Sequence, residues 1–110
     1  NIFELLTKIR TGGGSIVGFG APAKSTTLLH SYGIDGNILD YIVDDNPLKQ
    51  GKYTPGYNIP IKPTEKIYSD FPDYLLVLAW NFADSIISNH GAYRERGGRF
   101  IIPLPEVRVI

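Results

Sequence analysis

Residues 15–25 read Ser-Ile-Val-Gly-Phe-Gly-Ala-Pro-Ala-Lys-Ser. The apolar pair Ile16-Val17 predicts a strand that runs into Gly18-x-Gly20-x-x-Ala23, and a helix is expected to follow. Glycines at Gly18 and Gly20 let a backbone turn tightly and approach a ligand closely. The helix N-terminus then offers unpaired N–H groups and the positive end of its dipole to an anion. Lys24 adds a cation in the first helical turn, where the dipole opposes it and a bound anion would compensate it. Working outward, the apolar run Ile42-Val43 ends in Asp44-Asp45-Asn46-Pro47, which places carboxylates at the end of a second strand.

The same patterning organises the rest of the chain. Ile2, Phe3, Leu5, Leu6 and Ile9 recur at helical spacing and stop at Gly12-Gly13-Gly14. Ala21, Ser25, Leu28, Leu29 and Tyr32 form one stripe of a helix over 21–32, with Gly33 as its stop. Residues 38–43 read as the second strand, and 46–58, rich in Gly, Pro and Lys, as an exposed loop. Ile59-Pro60-Ile61 is at most a short strand near an edge, since Pro60 has no N–H to donate. Residues 63–68 suit a short helix. Tyr74 to Trp80 is apolar almost throughout, the mark of a strand covered on both faces. Phe82, Ala83, Ile86, Ile87, His90 and Tyr93 make a further helical stripe with a break expected at Gly91. Arg99 to Ile102 is a fifth strand, ended by Pro103-Leu104-Pro105. This alternation predicts an α/β fold: a Rossmann-like, three-layer domain whose mainly parallel five-stranded sheet has the order 3-2-1-4-5.

The bulk numbers agree with one domain over residues 1–110. Eleven basic residues balance eleven acidic ones, so no net field favours nucleic acid or an anionic membrane surface. With no cysteine there is no disulfide, thiol nucleophile or cysteine metal site. No apolar run approaches the ~20 residues of a membrane helix, and a cytoplasmic location is the expectation. The start, Asn-Ile-Phe-Glu-Leu-Leu, lacks an initiating Met and a signal-peptide pattern, which suggests a domain cut from a longer protein. The apolar face of residues 2–9 is then the expected exposed surface.

In a sheet of this order ligands bind at the carboxyl ends of the strands, near the switch between the first and fourth. Three segments converge there: Gly18, Gly20, Ala21, Pro22, Ala23 and Lys24; Asp44, Asp45 and Asn46; and Trp80 with Asn81. An acid after the second strand suits a ribose. Trp80 would stack on a base or sugar, and Asn81 would supply an amide. Each feature also has a plainer reading. The glycines make a tight turn, Asp-Asn-Pro is good turn chemistry, Trp80 is a core-edge aromatic, and Lys24 is solvated. Gly18 to Ser25 falls one residue short of a phosphate-binding GxxxxGK[ST] loop, because Ala23 replaces its second glycine and Pro22 lacks an N–H. His30 reads as solvated, and His90 as a helix-ending histidine favoured by the dipole. The Lys49–Tyr53 stretch reads as a solvated loop. No HxxxH, HExxH or GxSxG pattern occurs, so no catalytic residue and no metal ligand is expected.

Val17-Gly-Phe-Gly-Ala-Pro-Ala-Lys24, Leu39 to Gly56 with its Asn-Pro-Leu-Lys-Gln-Gly-Lys-Tyr-Thr-Pro-Gly run, Leu78-Ala-Trp-Asn-Phe82 and Gly97 to Pro105 together carry a resemblance over nearly the whole chain. They resemble the C-terminal domain of bacterial S-adenosylmethionine-dependent C-methyltransferases of nucleotide-linked deoxysugars. The resemblance implies that S-adenosylmethionine and zinc belong to domains outside this chain and that no cofactor is held here. A methyl-donor site of the common type begins with an acid two residues before its first glycine, and that position is Ile16. The implied partners are a nucleotide-linked sugar and the methyl-donor domain of the same polypeptide. The domain forms part of the substrate cleft or braces the methyl-donor domain, and alone it should bind rather than catalyse. Substitution Gly20→Val would then abolish binding. Two alternatives share features. The nucleotide-sugar-binding domain of sugar acyltransferases also carries a glycine turn and a strand ending in Asp-Asp-Asn. A nicotinamide-binding module needs an acid near residue 44, but Pro22 stiffens the turn that its pyrophosphate would use.

Overall fold

The computed structural model describes residues 2–20, 29, 33–46, 48, 50–54, 58–103 and 107–110. At its centre lies β1 (Ile16–Phe19), buried at all four positions. It pairs in parallel with β2 (Ile42–Asp44) on one side and β4 (Tyr74–Val77) on the other. β3 (Ile61–Pro63) lies outside β2, and β5 (Arg99–Ile102) outside β4, both parallel. Gly18 stands opposite Ile42 in one register and Leu76 in the other. The order 3-2-1-4-5 expected from the sequence is therefore present, and a sixth strand extends it. β6 (Arg108–Val109) adds antiparallel to β5. Two exposed residues carry no periodicity, so nothing in the sequence marked β6.

Strand alternation divides the core into two clusters. Ile16, Ile42, Leu76, Leu78 and Ile101 face one way and pack with Ile2 and Leu6 of α1 (Ile2–Thr11). Val17, Phe19, Val43, Leu75, Val77 and Phe100 face the other way. That second layer contains α2 (Lys66–Ser69), α3 (Ala83–Asn89) and α4 (Gly91–Glu95), which contribute Ile67, Ala83, Ile86 and Tyr93. Of the apolar face of residues 2–9, expected to be open, Phe3 is 39 % exposed and the rest is covered. Ile2 and Leu6 are buried, and Leu5 and Ile9 pack against the same cluster.

Other departures have local causes. Ile38, Leu39 and Tyr41 are buried and Asp40 is exposed, but none of the four is strand. The N–H groups of Ile38 and Leu39 both turn back to the Asp35 carbonyl, each at 3.0 Å, so their apolarity serves the core and β2 starts only at Ile42. The stretch expected as an exposed loop is partly structural. Gly51 N–H donates to the Ile61 carbonyl, Ile61 N–H to that of Lys52, and Thr54 N–H to that of Ile59. Thr54 is buried. This segment therefore covers the outer edge of β3, which would otherwise offer unpaired backbone groups. Pro60 accepts from Ile42 N–H through its carbonyl, and β3 proper begins one residue later. The last helical stripe breaks at His90 rather than at Gly91. A 3-10 turn over Trp80–Phe82 precedes it. Of the helix expected over 21–32, only Leu29 lies among the described residues, and it is buried in the α1-side cluster.

Candidate functional site

The two glycines of the first turn are placed by the sheet itself. Gly18 N–H donates to the Tyr41 carbonyl at 3.0 Å. A Cβ on Gly18 would lie 2.9 Å from Leu78 Cδ1 and 3.0 Å from Ile42 Cγ1. Gly20 N–H donates to the Val43 carbonyl at 2.8 Å. Its φ is +88°, and a Cβ there would stand 2.9 Å from that of Ala79. Both positions thus require glycine for packing and backbone shape. Ala21, Pro22, Ala23 and Lys24 lie outside the described residues.

At the end of β2, Asp44 and Asn46 make successive side-chain turns. Asp44 Oδ1 accepts Asn46 N–H at 2.8 Å, and Asn46 Oδ1 accepts Leu48 N–H at 3.0 Å. Gln50 Nε2 donates to the Asp44 carbonyl. The turn reading of this acidic run is therefore correct for Asp44 and Asn46. Asp45 differs, because its Oδ1 accepts the hydroxyl of Thr64, a residue just past β3 and only 8 % exposed.

Beyond β4, Trp80 is half-buried against the α1-side cluster, Asn81 is exposed, and Phe82 is 67 % exposed. The described parts of the three sequence segments therefore share one carboxyl edge, where Gly20 lies beside Val43 and Ala79. They divide between its two sides. Trp80 leans toward α1, whereas the contact from Asp45 to Thr64 ties the end of β2 to the end of β3.

Sequence reasoning gave His90 only the role of a helix-ending histidine. It ends α3 as expected, but its surroundings do not favour a cation. The ring sits edge-on to Phe19, with centroids 5.0 Å apart, and Nδ1 is 2.7 Å from the Tyr68 hydroxyl. Burial pushes the imidazole below its ordinary value, with the Asp45 charge pulling the other way. A neutral ring that accepts the Tyr68 proton at Nδ1 carries its own proton on Nε2. Among the described residues Nε2 has no protein partner and is not sealed from water. The available signal was the stripe Ala83, Ile86, His90 and Tyr93, in which the half-buried His90 is the one basic side chain.

With that geometry in place, the sequence comparisons are decisive. Residues 1–105 match the family described as the C-methyltransferase C-terminal domain. The chain belongs to this family. C-methyltransferase NovU of Streptomyces niveus is 44 % identical to it over 109 residues, which is 99 % of this chain and 26 % of the relative. This C-methyltransferase C-terminal domain thus spans about a quarter of the length of that relative. The acyltransferase and nicotinamide readings are not favoured. No helix among the described residues is long and apolar enough to cross a membrane.

The residues present do not fit S-adenosylmethionine. The place of its usual acid is Ile16, fully buried in β1, and the space beside Gly18 is filled by Leu78 and Ile42. Nor do the described residues fit structural zinc. The sequence has no cysteine, and among the described residues no three His, Asp or Glu side chains converge.

Proposed function

We propose that this domain forms one wall of the cleft that holds a nucleotide-linked sugar in a C-methyltransferase. Methyl transfer, with S-adenosylmethionine and zinc, is the work of other domains of the same polypeptide, and residues 1–110 are one binding domain of it. The observation that carries the reading is the shared carboxyl edge: Gly20, the Asp44–Asn46 turn and Trp80-Asn81 flank β1 at the point where the chain order reverses. In an open parallel sheet this is where ligands lie. The family match supplies the enzyme class.

Bracing of the methyl-donor domain is the second reading. Phe82 and Leu48, exposed by 67 % and 76 %, are the apolar side chains that a neighbouring domain would cover at that edge.

The test is an NMR shift titration of the chain with a thymidine diphosphate sugar, with NAD and S-adenosylmethionine as controls. Selective shifts at Gly18, Gly20, Asp44–Asn46 and Trp80-Asn81 support the wall. Silence with all three supports bracing, or a site that only the methyl-donor domain completes. Gly20→Val is a poor probe of binding. It forces a β-branched residue to φ +88° against Ala79, so it would lose the fold before it reported on a ligand.

A further inference from the structure

The carboxyl edge has a second polar cluster, on the side away from Trp80, that the glycine turn does not explain. Asp45 follows β2, Thr64 follows β3, and His90 closes α3 above Phe19 of β1. Asp45 and Thr64 follow two adjacent strands and His90 closes a helix packed on Phe19 of the next, so the sheet order brings them together from far apart in sequence. Two links tie the cluster. Asp45 Oδ1 accepts the Thr64 hydroxyl, and Phe19, against which the His90 ring sits, pairs with Val43 two residues before Asp45.

His90 is fixed from two directions, by the Tyr68 hydroxyl at Nδ1 and by the Phe19 edge. With the Tyr68 hydroxyl donating to Nδ1, the tautomer this proposal takes, Nε2–H is a preorganised donor that opens to water. Asp45 is exposed, and Thr64 uses only one of its carboxylate oxygens among the described residues. The set offers one carboxylate acceptor, one hydroxyl and one uncharged N–H donor. The cations that β3 and α2 carry are engaged elsewhere: Lys62 lies over the Tyr41 ring, and Lys66 pairs with Asp70. Mixed donors and acceptors, with no cation left available among the described residues of β3 and α2, suit a polyhydroxylated group rather than a phosphate.

We propose that Asp45, Thr64 and the Tyr68-braced His90 form the subsite for the sugar of a nucleotide-linked sugar. The proposal rests on the cleft-wall reading and deepens it. It puts the sugar on the α2–α3 side of the edge and leaves the glycine turn and Trp80 to the nucleotide. Tyr68 acts as a positioning residue, because it sets the tautomer that His90 presents.

The experiment is a titration of the isotopically labelled 110-residue chain with thymidine diphosphate glucose and, separately, with thymidine diphosphate. The expected result is that the Asp45 and Thr64 amides and the His90 ring nitrogens shift with the sugar nucleotide and stay put with the diphosphate. His90→Phe and Asp45→Asn, each checked for an unchanged amide spectrum elsewhere, should weaken the sugar nucleotide about tenfold, the effect of one lost hydrogen bond. The diphosphate should be unaffected. Tyr68→Phe should alter the His90 tautomer balance seen in its ring nitrogens. Shifts confined to Gly18, Gly20, Trp80 and Asn81 would overturn the subsite and leave the cleft wall standing. Equal shifts at His90 with both ligands would also overturn it. Silence with both would remove the wall and the subsite together.

Discussion

Against α1 the sheet presents Ile16, Ile42, Leu76, Leu78 and Ile101. Against α2–α4 it presents Val17, Phe19, Val43, Leu75, Val77 and Phe100. Every buried member of the first cluster is isoleucine or leucine among the described residues. The buried members of the second include Tyr41 and Tyr93, each with a hydroxyl that has a named partner. Apolar side chains pack without direction, so the α1 side can be refilled by residues of similar volume. Hydroxyls in a core must find partners, so the α2–α4 side is held in one arrangement. The polar layer is the one that can place a donor such as His90 at a rim.

Substitutions that read the two sides separately test this contrast. The largest effect should come from Gly98→Ala. A Cβ at Gly98 would enter the ring of Tyr93, which is fully buried between Phe71 and Phe100 and whose hydroxyl donates to the Pro72 carbonyl at 2.6 Å. The ring cannot move without giving up that bond, and a loss of about 3 kcal/mol is expected in denaturant unfolding. Tyr93→Phe keeps the packing and leaves the Pro72 carbonyl unpaired, for about 2 kcal/mol. On the α1 side, Leu76→Met should cost only about 1 kcal/mol. Equal losses for Tyr93→Phe and Leu76→Met would erase the distinction between the two sides.

How much of this was legible in the sequence follows from the same physics. Strands β1, β4 and β5 showed as continuous apolar runs because both of their faces are covered. The order of the five parallel strands followed from right-handed crossovers. Ile38 and Leu39 looked like strand because burial sets their composition, while their N–H groups turn back to Asp35. The edge-covering segment at 51–54 was hidden because its work is done by backbone hydrogen bonds, which side chains do not announce. At the site, the glycine turn and the Asp44–Asn46 run were visible as local patterns. The cluster of Asp45, Thr64, Tyr68 and His90 was not, since its members come together only through the order of β3, β2 and β1. Tyr93 and Gly98 likewise appear in sequence as an aromatic near a turn, and only the fold makes the second residue the lid of the first.

The smallest effect is also the one that most directly separates the two sides, because the buried α1-side cluster contains nothing that titrates. His90 is held below its ordinary value by burial. Over the interval between its folded value and the unfolded value of about 6.5, the unfolded chain binds more protons than the folded one. Stability from this group is therefore complete above about pH 6.5 and falls as the pH is lowered through that interval. Asp45 opposes the shift and the ring is partly exposed, so the loss should be modest. Urea midpoints measured between pH 7.5 and 5 should fall with acid in the parent chain. In His90→Phe the slope should be shallower, with the remaining decline set by carboxylates at lower pH. An identical slope in both would place the acid sensitivity elsewhere and leave His90 a neutral spectator in an otherwise apolar stripe.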